Sequence, residues 1–290
     1  MANFHTPVLL KETIEALHIQ KGKKYIDATV GGGGHTVEIV KLGGVVLGID
    51  ADEEAIGHTK SKIRNLTLVQ GNFRDIDKIA HSHGFVDTAG ILFDLGISSY
   101  QLDEEGRGFS FRFDAPLDMR MDRTLAVTAK DLINGLTKGE LYELFTKLGE
   151  EKRALAVSDR IALARKIKPI ETTGQLARLM IDVYRSRTKT HGIHPATRVF
   201  QALRIAVNDE LNALREALPK AFSLLGIYGR LVVTVFHSLE DRIVKQQFRT
   251  WEAEGLVRMI TKKPIGPTDD EVAQNPRARS AKMRCIEKIV

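Results

Sequence analysis

Three aspartates, a run of four glycines and one histidine carry the chemistry legible in this sequence. The stretch Lys24-Tyr-Ile-Asp-Ala-Thr-Val-Gly-Gly-Gly-Gly-His-Thr36 reads as a strand, a glycine turn and the start of a helix. Adjacent glycines, here Gly31 to Gly34, lower chain order, which a fold accepts where the backbone turns sharply or a ligand comes close. Asp27 lies near the end of the first strand, Asp50 closes a second at 45–50, and Asp94 closes a fourth at 90–94. The pair Asn72-Phe73 leaves the third, at 66–70. In an open α/β sheet all of these ends face one crevice, outside the carboxyl ends of the strands. A carboxylate in the place of Asp50 accepts hydrogen bonds from ribose hydroxyls, and Phe73 can stack or pack on an adenine. The set predicts a site for an adenosine-bearing cofactor. Taken singly, such aspartates also serve as helix caps, as Asp50 can for a helix at 53–63.

The glycine turn narrows the choice of cofactor. Gly31 and Gly33 fit the first two places of the dinucleotide signature, but its third place holds Thr36. No Gly-Lys-Ser or Gly-Lys-Thr follows the turn, which argues against a nucleoside triphosphatase. The remaining candidate, His237, follows a fifth strand at 229–236 and should face the same crevice. It can accept a proton or hold a substrate edge. The structural alternative is a helix start in which Ser238 is the cap and Asp241 the third residue of the first turn. No Gly-x-Ser-x-Gly elbow exists, so a serine hydrolase is a poor fit.

The elements that must hold these residues alternate. Helical patterns at 8–17, with Pro7 in the first turn, at 36–40, 53–63 and 75–83 separate four apolar runs at 25–30, 45–50, 66–70 and 90–94. Apolar runs of this kind suit parallel strands covered on both faces. The rhythm then breaks. Residues 101–123 are rich in Gly, Phe, Arg and Asp and read as an ordered loop. From Ala129 to about Leu218 the spacing is helical, with stripes at Leu141, Leu144, Phe145 and Leu148, then Ile161 to Ile167, Thr173 to Tyr184, and Phe200 to Leu218 as one helix. The fifth strand, a helix to about Trp251, and strands near 256–260 and 283–289 around a polar loop complete the chain. The expected fold class is α/β, a Rossmann-like doubly wound sheet with an inserted all-helical domain. The boundaries fall at 1–103 and 215–290 for the sheet and 104–214 for the insertion. A late strand, helix and two further strands suit a methyltransferase better than a dehydrogenase, though an NAD-dependent oxidoreductase stays open.

Composition sets the class. Hydrophobic residues make up 43% and charged residues 28% of the 290, as in ordinary soluble globules. No apolar run approaches a membrane span, and the reading is cytosolic. One cysteine, Cys285, excludes a disulfide scaffold or a cysteine-rich metal site, and His191 and His194 lack a third ligand, so no metal is expected. The net charge of +6 hints at a polyanionic partner. Residues 183–208 hold Arg185, Arg187, Lys189, Arg198 and Arg204 without a carboxylate. Residues 272–286 hold Arg277, Arg279, Lys282 and Arg284, likewise without one. Such runs suit RNA phosphates or are simply solvated faces.

Several motifs together resemble the bacterial RsmH (MraW) family over nearly the whole chain. They are Asp27 with Gly31 and Gly33-Gly34-His35-Thr36, Asp94-Leu-Gly-Ile-Ser-Ser99 with Gln101-Leu-Asp103, Arg107-Gly-Phe-Ser-Phe111, and Pro116-Leu-Asp-Met-Arg-Met-Asp122. Further on stand Gly149-Glu-Glu151, His194-Pro-Ala-Thr-Arg198, Phe236-His-Ser-Leu-Glu-Asp-Arg242 and Asn275-Pro-Arg-Ala-Arg-Ser280. The resemblance implies a class I S-adenosylmethionine-dependent methyltransferase acting on N4 of a cytidine in the decoding region of 16S ribosomal RNA. A small ribosomal subunit or late assembly intermediate is then the expected partner. It places cofactor contacts at Gly33, Gly34, His35, Asp50, Phe73, Asp94 and Gln101, to which the turn adds Gly31. Gly32 departs from the family, which usually has a bulky residue there, often Arg. Asp94 either accepts hydrogen bonds from the amine or touches the methionine part of the cofactor, and His237 is the second catalytic candidate. Candidates for the substrate side are Ser98, Ser99, Phe109, Arg120, Arg185, Arg187, Lys189, Arg198, Ser238, Arg277 and Arg279. The aromatic loop at 107–113 is the expected wall for a base taken out of its stack. Another RNA base, a small-molecule amine or a non-enzymatic RNA-binding role are the competing functions.

Overall fold

Alternation along each strand divides the apolar residues between two faces, and the sheet is built on that division. The computed structural model describes residues 7–62, 66–185 and 194–290. The chain forms two units, Met1–Ser98 with Leu211–Val290, and Ser99–Glu210. The first unit opens with α1 (Leu10–Leu17), β1 (Lys24–Asp27), α2 (Gly34–Lys41), β2 (Val45–Asp50), α3 (Glu53–Lys62), β3 (Thr67–Gln70), α4 (Ile76–Ser82) and β4 (Thr88–Asp94). The second unit follows with α5 (Ser99–Asp103), α6 (Ala129–Gly135), α7 (Lys138–Lys147), α8 (Ala154–Ile167), α9 (Thr173–Arg185) and α10 (Thr197–Asn208). The first then resumes with α11 (Glu210–Leu224), β5 (Leu225–Val235), α12 (Ser238–Ala253), β6 (Val257–Met259), α13 (Asp269–Gln274) and β7 (Lys282–Lys288).

The sheet runs β3-β2-β1-β4-β5-β7-β6. The first five strands are parallel, and β7 is antiparallel to both β5 and β6. Strand order reverses at β1, which has β2 on one side and β4 on the other, so the switch-point crevice lies at the ends of β1 and β4. Ile26, Leu47, Ile91, Phe93, Leu231 and Val233 face one core, with α4, α11 and α12. Tyr25, Val46, Leu92 and Val232 face the other, with α1 and α2. Cys285 lies buried in that second core, and burial pushes its thiol up to about 12, so it is an inert packing residue. Among the described residues no helix is long and apolar enough to cross a membrane.

Three expectations are corrected. Pro7 is not in the first turn of α1 but three residues before it. The apolar stripe from Phe200 to Leu218 is two helices, broken at Asp209 with φ 50° and ψ 38°. Asp tolerates that left-handed backbone. Across the break the Arg204 guanidinium donates both prongs to Glu210, at 2.8 Å each. The pattern could not reveal this, because Val207, Leu211 and Leu214 keep helical spacing through the break. The polar loop between the last two strands contains α13, capped by Thr268, which accepts from the Glu271 N–H at 3.2 Å, and a 3-10 turn at Pro276–Ser280.

Candidate active site

Glycine geometry decides the shape of the turn after β1. Gly31 has φ 49° and Gly33 φ 79°, backbone values that favour glycine. A Cβ on Gly33 would lie 2.9 Å from Thr59 Cγ2, and one on Gly34 2.9 Å from Pro7 Cγ. The backbone of the turn is thus enclosed on two sides. Gly31 N–H donates to Asp50 Oδ2 at 2.7 Å, and Thr59 Oγ1 donates to the Gly31 carbonyl at 3.0 Å. Gly33 is the N-cap of α2, and no side chain caps that helix end. Its first N–H groups and dipole suit a negatively charged or polar ligand group.

Asp27 is buried at its strand end, and Asp50 and Asp94 are partly buried at theirs. Asp27 accepts from Thr36 Oγ1 at 2.6 Å and from Thr29 N–H at 3.2 Å. Burial nonetheless raises its pKa to about 6. Asp50 accepts from Gly31 N–H and, at 2.9 Å, from Asp52 N–H, and burial raises it also to about 6. Each of its oxygens keeps a second lone pair for a ribose hydroxyl. Asp94 is the most perturbed. Burial first, then the charges of Asp27 and Glu240, hold its carboxyl well above the usual range. Its backbone N–H donates to Thr29 Oγ1 at 2.6 Å, and its Oδ2 lies 3.6 Å from His35 Nδ1. Its Oδ1 is buried and accepts no hydrogen bond among the described residues. A buried acceptor of that kind awaits a donor or a positive charge.

His237 departs from expectation in its local role. The cap of α12 is His237 itself, not Ser238, and the third residue is Glu240, not Asp241. The Glu240 N–H donates to His237 Nδ1 at 3.4 Å, while Glu240 Oε2 accepts from the N–H of Phe236 at 2.9 Å and of His237 at 3.3 Å. His237 Nε2 stands 3.2 Å from Glu240 Oε1. Ser238 is the first residue of the helix. Asp241 points elsewhere and accepts from Arg284 Nε at 2.8 Å. Burial pushes Asp241 up, but the Arg284 and Lys282 contacts outweigh it and its pKa falls. Glu240 is therefore the residue that fixes His237, a partner the sequence reading passed over. Its signal was its place three residues after His237, in the box pattern assigned instead to Ser238 and Asp241.

The other candidates fall in several places. In the first unit, Ser98 Cβ lies 3.7 Å from where a Cβ on Gly31 would sit, so Ser98 borders the glycine turn. Phe73 starts a 3-10 turn and meets Phe93 edge-on, with ring centroids 5.6 Å apart, so it is partly a core residue. Arg279 is exposed and Arg277 half-buried on the Pro276–Ser280 turn. Arg284, from the same basic run, is buried against Asp241 rather than available to phosphate. In the second unit Gln101 is buried in α5. Phe109 is buried, so it packs rather than forming an open wall, whereas Phe113 is exposed. Phe111 stacks on His194 at 4.4 Å between centroids. Arg120 engages four of its five donors inside its own loop. It forks onto Asp118 at 2.8 Å twice and reaches the carbonyls of Arg123 at 3.0 Å and Leu125 at 2.6 Å. That makes it a loop anchor rather than a phosphate-facing cation. Arg198 donates to the Glu150 carbonyl at 2.6 Å. Arg187 and Lys189, with the side chains of Ser99 and Arg185, lie outside the described residues.

The glycine cradle, the lone pairs left on Asp50 and the unfilled Asp94 Oδ1 fit a cofactor with a ribose and a cationic centre. The sequence profile of the MraW methylase family matches residues 2–289. Among curated proteins, ribosomal RNA small subunit methyltransferase H of Thermomicrobium roseum is 46% identical over 100% of this chain and 95% of its own length. The protein of the same name from Symbiobacterium thermophilum is 43% identical, over 100% and 98%. An rRNA methylase of Streptococcus thermophilus, known from its crystal structure, superposes with a TM-score of 0.46 at 11% identity, covering 98% of each chain. The dehydrogenase alternative falls with the family profile and the two curated relatives: the chain belongs to the MraW methylase family and uses S-adenosylmethionine as its methyl donor.

Proposed function

We propose that this enzyme methylates the exocyclic N4 amine of a cytidine in the decoding region of 16S ribosomal RNA, within a small subunit or a late assembly intermediate. The names of the two curated relatives support a small-subunit RNA substrate. The observation that carries the chemistry is Asp94, a partly buried carboxylate with one oxygen unfilled at the end of β4.

The donor, when bound, supplies a methyl group already activated on a sulfonium centre, so the reaction is a direct displacement. The acceptor sets the barrier, because the cytosine amine shares its lone pair with the ring. Asp94 Oδ1 accepts an amine N–H as the nitrogen leaves the ring plane, and that bond strengthens as positive charge develops. Asp94 gives its proton to water as the crevice takes up positive charge, which offsets the opposing charges of Asp27 and Glu240. His237, fixed as the cap of α12 by Glu240, holds the base edge while the proton leaves late to water. Gly31, Gly33, Gly34, His35, Asp50, Phe73 and Gln101 are the cofactor contacts in this reading. The helical unit supplies substrate recognition, with phosphates met by Arg185, Arg187, Lys189 and Arg198 there and by Arg277 and Arg279 on the sheet unit.

Product analysis tests the assignment. Small subunits or 16S RNA from cells lacking the enzyme are incubated with isotopically labelled donor, digested to nucleosides and analysed by mass spectrometry. Label in N4-methylcytidine at one decoding-region position is expected. Label on ring carbon, on another base or only on a small amine defeats the reading.

A further inference from the structure

The glycine turn is not held by the sheet alone. The ring of Pro7 lies against it: a Cβ on Gly34 would sit 2.9 to 3.1 Å from three Pro7 ring atoms. Two residues later Leu9 takes a left-handed backbone, φ 53° and ψ 37°, which is uncommon for a branched side chain. Leu9 is fully buried, and its carbonyl accepts from Thr13 N–H at 2.8 Å. Its own N–H has no acceptor nearby in sequence among the described residues. It donates to Glu271 Oε1 at 2.7 Å, across 262 residues of chain. Glu271 belongs to α13, and Thr268 Oγ1 holds its backbone N–H at 3.2 Å.

We propose that Glu271 is a positioning residue for the cofactor: it latches the strap 7–9 in its strained backbone, so that Pro7 bears on Gly34 and fixes the turn and the first residues of α2. Those residues include His35, whose Nδ1 is 3.6 Å from Asp94. Without the carboxylate, Leu9 relaxes out of the left-handed region and Pro7 lifts from the turn. Neither Pro7 nor Glu271 lies at a strand end, so the strand-end pattern does not single them out. The inference concerns cofactor binding and is independent of which base is methylated.

Titration calorimetry with S-adenosylmethionine and S-adenosylhomocysteine, well below the melting temperature, tests it on the full chain. Glu271→Ala should weaken both ligands roughly tenfold, within the range by which positioning residues modulate binding. Glu271→Gln keeps an oxygen acceptor and should restore binding to within about twofold of the parent. Pro7→Ala should weaken binding by a similar factor, and the double variant should be no worse than either single one, because both changes break one path. If Glu271→Ala does not fold, Glu271→Asp, whose shorter arm withdraws the oxygen, takes its place. Parent-like affinity in Glu271→Ala or Glu271→Asp with only a lower melting temperature overturns the proposal. So does full additivity with Pro7→Ala.

Discussion

The carboxylates at the ends of the sheet and those in the helical unit are used in opposite ways. In the sheet unit Asp27 is buried and Asp50 and Asp94 partly so, none of the three is paired with a Lys or Arg among the described residues, and burial raises all three pKa values. In the helical unit, Asp118 meets the Arg120 fork and Asp131 the cap of α6. There the hydrogen bonds of Arg120 outweigh burial at Asp118, and those of Thr128 dominate at Asp131, so both pKa values fall. The second arrangement completes itself and holds a loop. The first is incomplete and holds potential for an incoming cation or donor.

The largest expected effect tests the incomplete group. Asp94→Asn keeps size and one oxygen but removes charge. Single-turnover methylation should fall roughly 10²-fold or more, while cofactor affinity changes less than about tenfold. Equal losses in rate and affinity, with the rate restored by saturating donor, would show that Asp94 serves the cofactor instead. The counterpart in the helical unit is Arg120→Ala. It leaves Asp118 half-buried and unpaired and frees two carbonyls, which should lower unfolding free energy by about 2–3 kcal/mol in urea titration. Cofactor affinity should stay within about twofold, because among the described residues the Arg120 side chain hydrogen-bonds only within its own loop. A large loss of affinity at parent-like stability would reverse the contrast.

How far this contrast was legible follows from the range of the interactions. Strand ends were readable because apolar runs stop at carboxylates, and Asp50 and Asp94 fall at the last residues of β2 and β4. The glycine turn was readable because its backbone at Gly31 and Gly33 favours glycine. What could not be read depends on how the chain folds back on itself, over a few residues in some places and many in others. Arg120 looks like a phosphate ligand until the carbonyls of Arg123 and Leu125 fold back on it. Arg284 looks like part of a basic run until β7 brings it to Asp241. The cap of α12 went to His237 rather than Ser238 because the helix starts one residue earlier than hydroxyl preference suggests. Phe109 read as an exposed wall because loop aromatics carry no sign of their burial.

A smaller effect separates binding from chemistry within the sheet unit. Asp50→Ala removes the acceptor for Gly31 N–H and, in the reading above, for a ribose hydroxyl. Calorimetric affinity for S-adenosylmethionine should weaken by roughly 1–3 kcal/mol. The rate at saturating donor should recover, unlike that of Asp94→Asn. No change in affinity would remove Asp50 from the site and leave it as a pin for the turn.

The smallest effect carries the clearest sign. With a folded pKa of about 6 against an ordinary 3.8, Asp50 binds its proton more tightly in the folded protein. Its favourable contribution is therefore complete below the unfolded pKa and is lost as pH rises through about 6. Asp50→Asn removes that loss but weakens the acceptors for Gly31 and Asp52 N–H. At pH 7.5, without cofactor, the two nearly cancel, leaving a gain of about 1 kcal/mol, or roughly 2–4 °C in melting temperature. Near pH 4.5 the parent Asp50 is protonated in the folded protein and most of the penalty has gone, so the weakened hydrogen bonds outweigh what is left and the variant should melt below the parent. Asp118→Asn should show the opposite trend. Its lowered pKa gives a contribution present above the unfolded value and lost as pH falls, so this variant is least stable relative to the parent at neutral pH. Between pH 4.5 and 7.5 the melting curve of Asp50→Asn should cross the parent, whereas that of Asp118→Asn should stay below it throughout and converge on it only below the ordinary carboxylate value of 3.8. If Asp50→Asn stays below the parent throughout, the carboxylate is a structural partner of the turn and the division between the two units fails at that residue.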